Sequence, residues 1–189
     1  MRTKLLLLFL AFGIACAMAQ NTLDGSGHAL KIQTGYSYFD FKRGYHGLFL
    51  STAYERDLYS FISAQLNLAL ENGAQNLDSG SAALNPFQSI GLDVGVNGKL
   101  NVLNGHTLGG GPFIGFMFLG AGESFQNQNG FETTSMSYVL MLYYGLRASY
   151  TFPVGKTVKL GFSGSLQRQS FGTAKTSTQR FGFLFIKQF

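Results

Sequence analysis

The sequence is poor in the residues that cross-link or interrupt a chain. Among 189 residues it has one cysteine, three prolines and no tryptophan. The single cysteine, Cys16, lies within the first twenty residues, so no disulfide can form in the remainder of the chain. The chain after residue 20 therefore has to be stabilised by non-covalent interactions.

Charge is also scarce. Only 12% of the residues are charged, whereas a typical soluble domain has about 25%. After residue 20 no apolar run approaches the ~18 residues of a transmembrane helix, so a helical membrane protein is excluded. Without Arg2 and Lys4 the 14 basic residues fall to 12 against 9 acidic ones, a mild net charge of +3. The basic residues are scattered, which argues against a nucleic-acid-binding surface.

The first twenty residues predict a secretory signal peptide. Arg2 and Lys4 form a positive segment, an apolar stretch follows over residues 5–15, and residues 17–19 read Ala-Met-Ala, a small-x-small cleavage site. We therefore expect a signal peptide over residues 1–20 and one domain over residues 21–189, exported through a Sec-type signal. Residues 13–16 can also be read as a lipoprotein box, which leaves lipidation of Cys16 as an alternative.

The rest of the chain is rich in glycine (25 residues) and in aromatic residues (15%), a composition that favours strands joined by turns. Apolar and polar residues alternate with a period of two, which predicts half-buried strands. Six segments show the pattern clearly: 30–38, 48–55, 62–71, 90–99, 136–150 and 158–167. Segments 108–119, interrupted by Pro112, and 181–189 are less regular and bring the count to eight.

The connections between these strands alternate in length. Tight turns are predicted at Arg56-Asp57, Asn101 to Gly105 and Pro153 to Lys156, and longer polar stretches at 72–86, 122–133 and 170–177, with a shorter one at 40–44. Alternating long and short connections are typical of an antiparallel, up-and-down transmembrane β-barrel, in which both termini lie on the periplasmic side. The polar face holds mostly small uncharged residues, which suits a narrow lumen better than a soluble surface. A soluble secreted barrel is the structural alternative.

Tyrosines lie near several strand ends, as expected for the aromatic girdles of a membrane barrel. They are Tyr36, Tyr38, Tyr54 and Tyr150.

The C-terminal segment carries a family resemblance. Phe181, Phe183, Phe185 and the terminal Phe189 lie on one face of the last strand, which resembles the signal read by the outer-membrane barrel assembly machinery. Lys187 departs from that pattern, where a hydrophobic residue is usual. In size and layout residues 21–189 resemble the small eight-stranded outer-membrane barrels of the OmpA/OmpX type. The resemblance implies a bacterial outer-membrane protein in contact with lipid, and its members act as structural proteins, adhesins, narrow pores or lipid-modifying enzymes.

Five charged residues fall on the inward face of the predicted barrel. They are Lys31, Glu55, Asp93, Arg147 and Lys159. We expect them to form a network of ion pairs in the lumen, because buried charges must be paired. The network either fills the lumen or acts as a gate whose re-pairing opens a conduit, a hypothesis that Arg147→Ala would test by conductance.

Inward glycines at positions 91, 95, 145 and 161 either leave space in the lumen or allow close packing; the sequence leaves both open.

The three histidines, His28, His46 and His106, have no spacing that predicts a metal site. A strand with a period of two places His46 on the face opposite Ser51 and Glu55, so these residues do not form a catalytic triad. We expect no catalytic residue and no cofactor. The predicted function is non-enzymatic, either structural or a surface interaction with a partner that no motif identifies. A narrow pore is the first alternative and a lipid-modifying enzyme a distant one.

Overall fold

The computed structural model describes residues 27–40, 44–75, 85–126, 132–171 and 174–189. The predicted signal peptide over residues 1–20 lies outside these ranges. Within them, no helix is long and apolar enough to cross a membrane. The described chain is almost entirely β-strand.

Eight antiparallel strands follow one another in chain order. They are β1 (His28–Asp40), β2 (Tyr45–Tyr59), β3 (Ile62–Gln75), β4 (Asn85–Asn101), β5 (Thr107–Gln126), β6 (Glu132–Pro153), β7 (Val158–Phe171) and β8 (Ala174–Gln188). Each strand pairs with the next, and β8 pairs with β1, so the sheet closes into a barrel without an edge. The predicted eight-stranded antiparallel barrel is confirmed.

The register fixes the shape of the barrel. One line of paired residues runs from Leu30 through Tyr54, Leu66, Val94, Ile114, Tyr144, Arg168 and Ser177 to Asp40. The line returns to β1 ten residues further along (40 − 30), which is the stagger of the closed sheet. Such a stagger requires the strands to tilt against the barrel axis, typically by about 35–45°.

The two ends of the barrel differ, and we call them the turn end and the loop end. The turn end holds both described termini and the connections after β2, β4 and β6; the loop end holds the other four connections. At the turn end a short 3₁₀ turn, Leu103–Gly105, joins β4 to β5, and Asn104 and Gly105 adopt the positive φ that this turn requires. The predicted turn at Asn101 to Gly105 is therefore confirmed.

The predicted turn at Arg56-Asp57 is wrong. β2 continues to Tyr59, and the turn lies at Ser60 and Phe61. The strand continues because Asp57 pairs with Ser63 of β3, and its amide donates to the carbonyl of Gly27 at 2.9 Å. The pairing of β2 with β3 then shifts by one residue between Asp57 and Tyr59.

The predicted loop over residues 122–133 is also strand in its described parts, residues 122–126 and 132–133. β5 and β6 stay paired as far as Gln126 and Glu132. By contrast β5 pairs with β4 only up to Ala121, and β6 pairs with β7 only from Leu142 onward. The β5–β6 hairpin therefore projects beyond its neighbours at the loop end, with backbone edges that pair with neither β4 nor β7.

Pro112 interrupts one ladder without shifting it. The β4–β5 pairing stops after Gly95 and Phe113 and resumes at Gly98 and Gly110 in the same register. Proline has no amide hydrogen to donate, which explains why the residue pairs at this point of the ladder are missing. The segment that Pro112 interrupts in the sequence is thus one continuous strand in the structure.

Side chains separate cleanly between the inside and the outside of the wall. Large apolar residues such as Leu50, Leu92, Phe116, Leu146 and Phe183 are exposed on the outside. Small polar, charged and a minority of aromatic residues are buried inside. The apolar core of this barrel is thus only a part of its interior.

Candidate functional site

The lumen contains two different halves. Its loop end is filled by a cluster of apolar side chains that we call the apolar plug. The plug consists of Phe39, Tyr45, Phe87, Phe113, Met117, Leu119, Met141 and Tyr143. Its turn end holds charged and hydroxyl side chains around an open cavity.

Aromatic contacts hold the plug together. The ring of Phe87 packs on those of Phe39 and Tyr45, with centroid distances of 6.4 and 5.3 Å. Phe113 meets Tyr143 edge to face at 6.0 Å. The side chains of Tyr143 and Met117 have no exposed surface at all. The plug therefore fills the loop-end half of the lumen with buried side chains that pack against one another.

The inward glycines provide space for these rings. A Cβ atom at Gly91 would lie 3.0 Å from the Tyr143 hydroxyl, and one at Gly145 would lie 2.8 Å from Cζ of Phe113. Gly95 faces Phe113 in the same way, at 3.0 Å from its Cβ. Of the two possibilities left open by the sequence, close packing therefore holds at these three positions.

Four charged groups form a quartet near the turn end. Lys31 Nζ lies 2.5 Å from one carboxylate oxygen of Glu55, and Lys99 Nζ lies 2.8 Å from the other. Lys99 also forms an ion pair with Asp57. Asn97 Nδ2 donates to Glu55 at 3.0 Å, so the buried carboxylate is well satisfied.

A second group surrounds Asp93 at mid-height. Arg147 forms an ion pair with its carboxylate. Asn67 Nδ2 and the Tyr143 hydroxyl donate to the other carboxylate oxygen at 2.8 and 3.0 Å. The Arg147 guanidinium also lies over the ring of Phe113, 4.2 Å from its centroid. This group joins the polar half of the lumen to the plug.

A third charged group, the ion pair between Glu71 and Arg180, was not predicted from the sequence. Arg180 Nε lies 2.5 Å from Glu71 Oε1, and Ser89 Oγ donates to the same carboxylate at 2.7 Å. Both side chains are almost fully buried. Both residues alternate with outward-facing neighbours, so the sequence places them on the inward face. Their contact depends on closure of the barrel, because β3 and β8 are not adjacent strands and meet only across the lumen.

The five charged residues predicted in the lumen thus do not form one network. Lys31 meets Glu55, and Asp93 meets Arg147, in two distinct groups. Lys159 joins neither: its Nζ donates to Thr107 Oγ1 at 3.0 Å, and it makes no ion pair with any described residue.

The cavity in the turn-end half has a volume of about 220 Å³. Its lining runs from Ser60 and Asn101 at the rim to Phe49 and Phe113 at mid-height. Phe113 is the only member of the plug that it reaches. The cavity is therefore a vestibule that opens at the turn end and stops at the plug.

The three histidines lie at strand ends, each beside a tyrosine hydroxyl. His106 Nδ1 is 2.6 Å from the Tyr150 hydroxyl, His28 bonds Tyr54, and His46 bonds Tyr36. No group of three or more metal-ligating residues occurs in the described ranges.

His46 is exposed on the outer surface, while Ser51 and Glu55 are buried in the lumen. The structure thus keeps His46 apart from the two residues with which a triad was considered. The aromatic residues of the predicted assembly signal, Phe181, Phe183, Phe185 and Phe189, are likewise on the outside, exposed by 40% or more.

Comparisons with known proteins identify the fold. No protein-family model matches the chain, and no curated protein is significantly similar in sequence. Among solved structures, Neisserial surface protein A aligns with a TM-score of 0.64 at 6% identity, over 88% of this chain and 100% of that one. The fold is that of the small eight-stranded outer-membrane barrels.

Two further structures extend the comparison. Ail, the attachment invasion locus protein of Yersinia pestis, aligns with a TM-score of 0.51 at 13% identity, over 85% of this chain and 98% of that one. The outer membrane enzyme PagL aligns with a TM-score of 0.50 at 10% identity, over 84% and 98%. Because surface proteins and an enzyme share this barrel, the fold alone does not decide the function.

Proposed function

We propose that the protein is a non-enzymatic barrel of the bacterial outer membrane that presents the β5–β6 hairpin for interactions at the cell surface. The observation that carries the proposal is the hairpin itself, which projects beyond β4 and β7 from a barrel whose lumen is plugged. In the orientation that we propose, the loop end faces the cell exterior and the turn end faces the periplasm.

The exterior of the barrel supports a membrane location. Apolar residues cover the outside of all eight strands, and a soluble protein rarely exposes so continuous an apolar surface. Tyrosine–histidine pairs flank this band, with Tyr36–His46 towards the loop end and Tyr54–His28 and Tyr150–His106 towards the turn end. Amphipathic aromatic residues at both margins match the interfacial girdles of outer-membrane barrels.

The hairpin offers a mode of recognition. The ladder between β6 and β7 begins only at Leu142, so the described part of β6 before that residue is paired with β5 alone. A strand edge that extends beyond its neighbour in this way can add an extended segment of another protein as a further strand. We include in the proposal export by the signal peptide over residues 1–20 and assembly through the C-terminal strand.

Site-directed labelling tests location and orientation together. Cys16 is the only native cysteine, so after signal removal a single introduced cysteine is unique. A membrane-impermeant maleimide should label Gln126→Cys in intact cells and Lys156→Cys, in the connection after β6, only after the outer membrane is permeabilised. A heat-dependent gel shift of the membrane fraction should confirm the closed barrel. Recovery in the soluble periplasm, or the reverse labelling pattern, would contradict the proposal.

A narrow pore is the second candidate, favoured by the vestibule that reaches mid-height. The plug lies between this vestibule and the loop end, so re-pairing of Asp93 and Arg147 does not by itself open a path. We expect Arg147→Ala to leave planar-bilayer conductance at the baseline. Combined substitution of Phe87 and Tyr143 by alanine should produce conducting channels, because both rings are removed from the plug. Channels in the unmodified protein would favour the pore instead.

A further inference from the structure

We propose that the turn-end vestibule is a binding site for a small tetrahedral oxyanion such as inorganic phosphate, with Lys159 as its principal cation. The site is separate from the hairpin at the loop end and does not depend on its role. In the proposed orientation it is open to the periplasm.

The charge balance of the vestibule is the first argument. Its lining carries five basic side chains against three acidic ones. Glu55 and Asp57 are occupied by Lys31 and Lys99, and Asp93 by Arg147. Arg180 has its own partner, Glu71, above the vestibule. Lys159 alone among the lining cations has no carboxylate partner in the described ranges, so the enclosed space has an excess of positive charge.

The shape of the wall around Lys159 is the second argument. The inward residues of β6 and β7 beside it are small, and most carry hydroxyl groups. They are Ser149, Thr151, Gly161, Ser163 and Ser165, with Thr107 next to them on β5. Small side chains leave a cavity of about 220 Å³, which has room for a tetrahedral oxyanion together with hydrating water. Hydroxyl and ammonium donors are the groups that bind such anions in proteins.

Buried donor atoms without hydrogen-bond partners are the third argument. Ser163 Oγ and Arg147 Nε are buried atoms without a hydrogen-bond partner in the described protein, and both residues line the vestibule. Arg147 pairs directly with Ser165, two residues along β7 from Ser163. Lys159 lies four residues from Ser163 on the same strand, towards the turn end, and an anion bound between its ammonium group and the Ser163 hydroxyl would satisfy a group that is costly to bury unpaired.

The closed wall also decides the source of the anion. A continuous ring of strands separates the vestibule from the bilayer, so the headgroup of a diacyl lipid cannot enter sideways. A free anion enters through the turn end.

The test is isothermal titration of inorganic phosphate into the refolded barrel in maltoside micelles, which contain no phosphate, at low ionic strength. We expect saturable binding of one phosphate per barrel. Lys159→Ala should weaken it by about tenfold or more, as expected for loss of a charge-assisted contact. Ser163→Ala, which leaves the charge unchanged, should weaken it by a smaller factor. Lys187→Ala is the matched control, because Lys187 donates to Thr157 Oγ1 at 2.8 Å on the exposed surface outside the vestibule.

Each variant is first shown to be folded by its heat-dependent gel shift. Binding that survives Lys159→Ala unchanged would overturn the proposal. Absence of saturable binding to the native barrel would overturn it too, as would equal losses in the Lys159 and Lys187 variants, which would indicate diffuse attraction by net charge. None of these results would affect the labelling pattern on which the proposed surface role depends.

Discussion

At the scale of single residues, this lumen shows how a narrow barrel accommodates charge. Each buried carboxylate is met by a cation and by neutral donors: Glu71 by Arg180 and Ser89, and Asp93 by Arg147, Asn67 and Tyr143. Such pairs contribute little net stability relative to apolar residues, but breaking one leaves an uncompensated buried charge.

The Glu71–Arg180 pair gives a direct prediction. Arg180→Met should lower the free energy of unfolding by about 3–5 kcal/mol, because it leaves the buried Glu71 carboxylate unpaired. The double variant Glu71→Gln with Arg180→Met should recover part of that loss. Urea titration in lipid vesicles measures both. Additive effects of the two single substitutions would show that the pair is not coupled in the folded barrel.

Glycine packing gives a second prediction at this scale. Gly145→Ala should destabilise the barrel by about 1–3 kcal/mol, because the added methyl group would press on Phe113 and on the backbone of β7 at Gln167. Gly98→Ala is the control, since its nearest contact would be the carbonyl of Gly110 at 3.7 Å. Equal stability of the two variants would mean that the plug is looser than the structure shows.

At the scale of elements, the β5–β6 hairpin is separable from the wall that carries it. Its outermost described pairs, from Gly122 and Met136 to Gln126 and Glu132, are laddered to no other strand. The β7–β8 hairpin, in contrast, pairs with β6 as far as Ser170 and with β1 from Ser177 onward, and it buries Gln169 and Thr178 in the lumen. Removal of one hairpin should therefore change the free energy of unfolding by a different amount from removal of the other.

Replacing residues 123–135 by Asn-Gly should leave the barrel folded, with the free energy of unfolding changed by less than about 1 kcal/mol. The equivalent replacement of residues 168–177 should cost at least about 2 kcal/mol, because it exposes unpaired backbone groups on β6 and β1. Heat-dependent gel shifts show whether each of the two variants folds, and urea titration compares their free energies of unfolding. A barrel that fails to fold without residues 123–135 would show that the hairpin is part of the assembly core and not an appended surface.

At the scale of the whole molecule, the outside of the barrel is the proposed lipid face, and its depth can be probed. Leu146 is 62% exposed and lies within the part of β6 that pairs with both neighbours, opposite Pro112 and Leu166. Leu100 is 64% exposed but lies one residue from the turn end of β4. In water the two positions would tolerate a charge equally, whereas in a bilayer they differ.

Leu146→Arg should therefore destabilise the barrel in vesicles by about 2–4 kcal/mol, and Leu100→Arg by at most about 1 kcal/mol. The free energies of unfolding in urea provide the comparison. Equal, small effects would show that the apolar outside does not face lipid and would support the soluble barrel.

The sequence by itself determined the class, the strand count and the face of each side chain. These follow from the period of two, because successive residues of a strand always point to opposite sides. The same local rules failed where a choice depended on neighbours: Arg56-Asp57 has the polarity of a turn, but Asp57 is held in β2 by pairing with Ser63. Residues 122–126 and 132–133 of the predicted loop are strand because β5 and β6 pair with each other there.

Which charges meet was decided only by the tertiary structure. Lys31 and Glu55, 24 residues apart, lie on adjacent strands, whereas Glu71 and Arg180 are 109 residues apart and meet across the lumen. Their meeting depends on closure between β8 and β1 and on a stagger of ten residues, properties of the whole ring. Alternation fixes whether a residue points inward, but its partner inside depends on how far every other strand has slid along its neighbour.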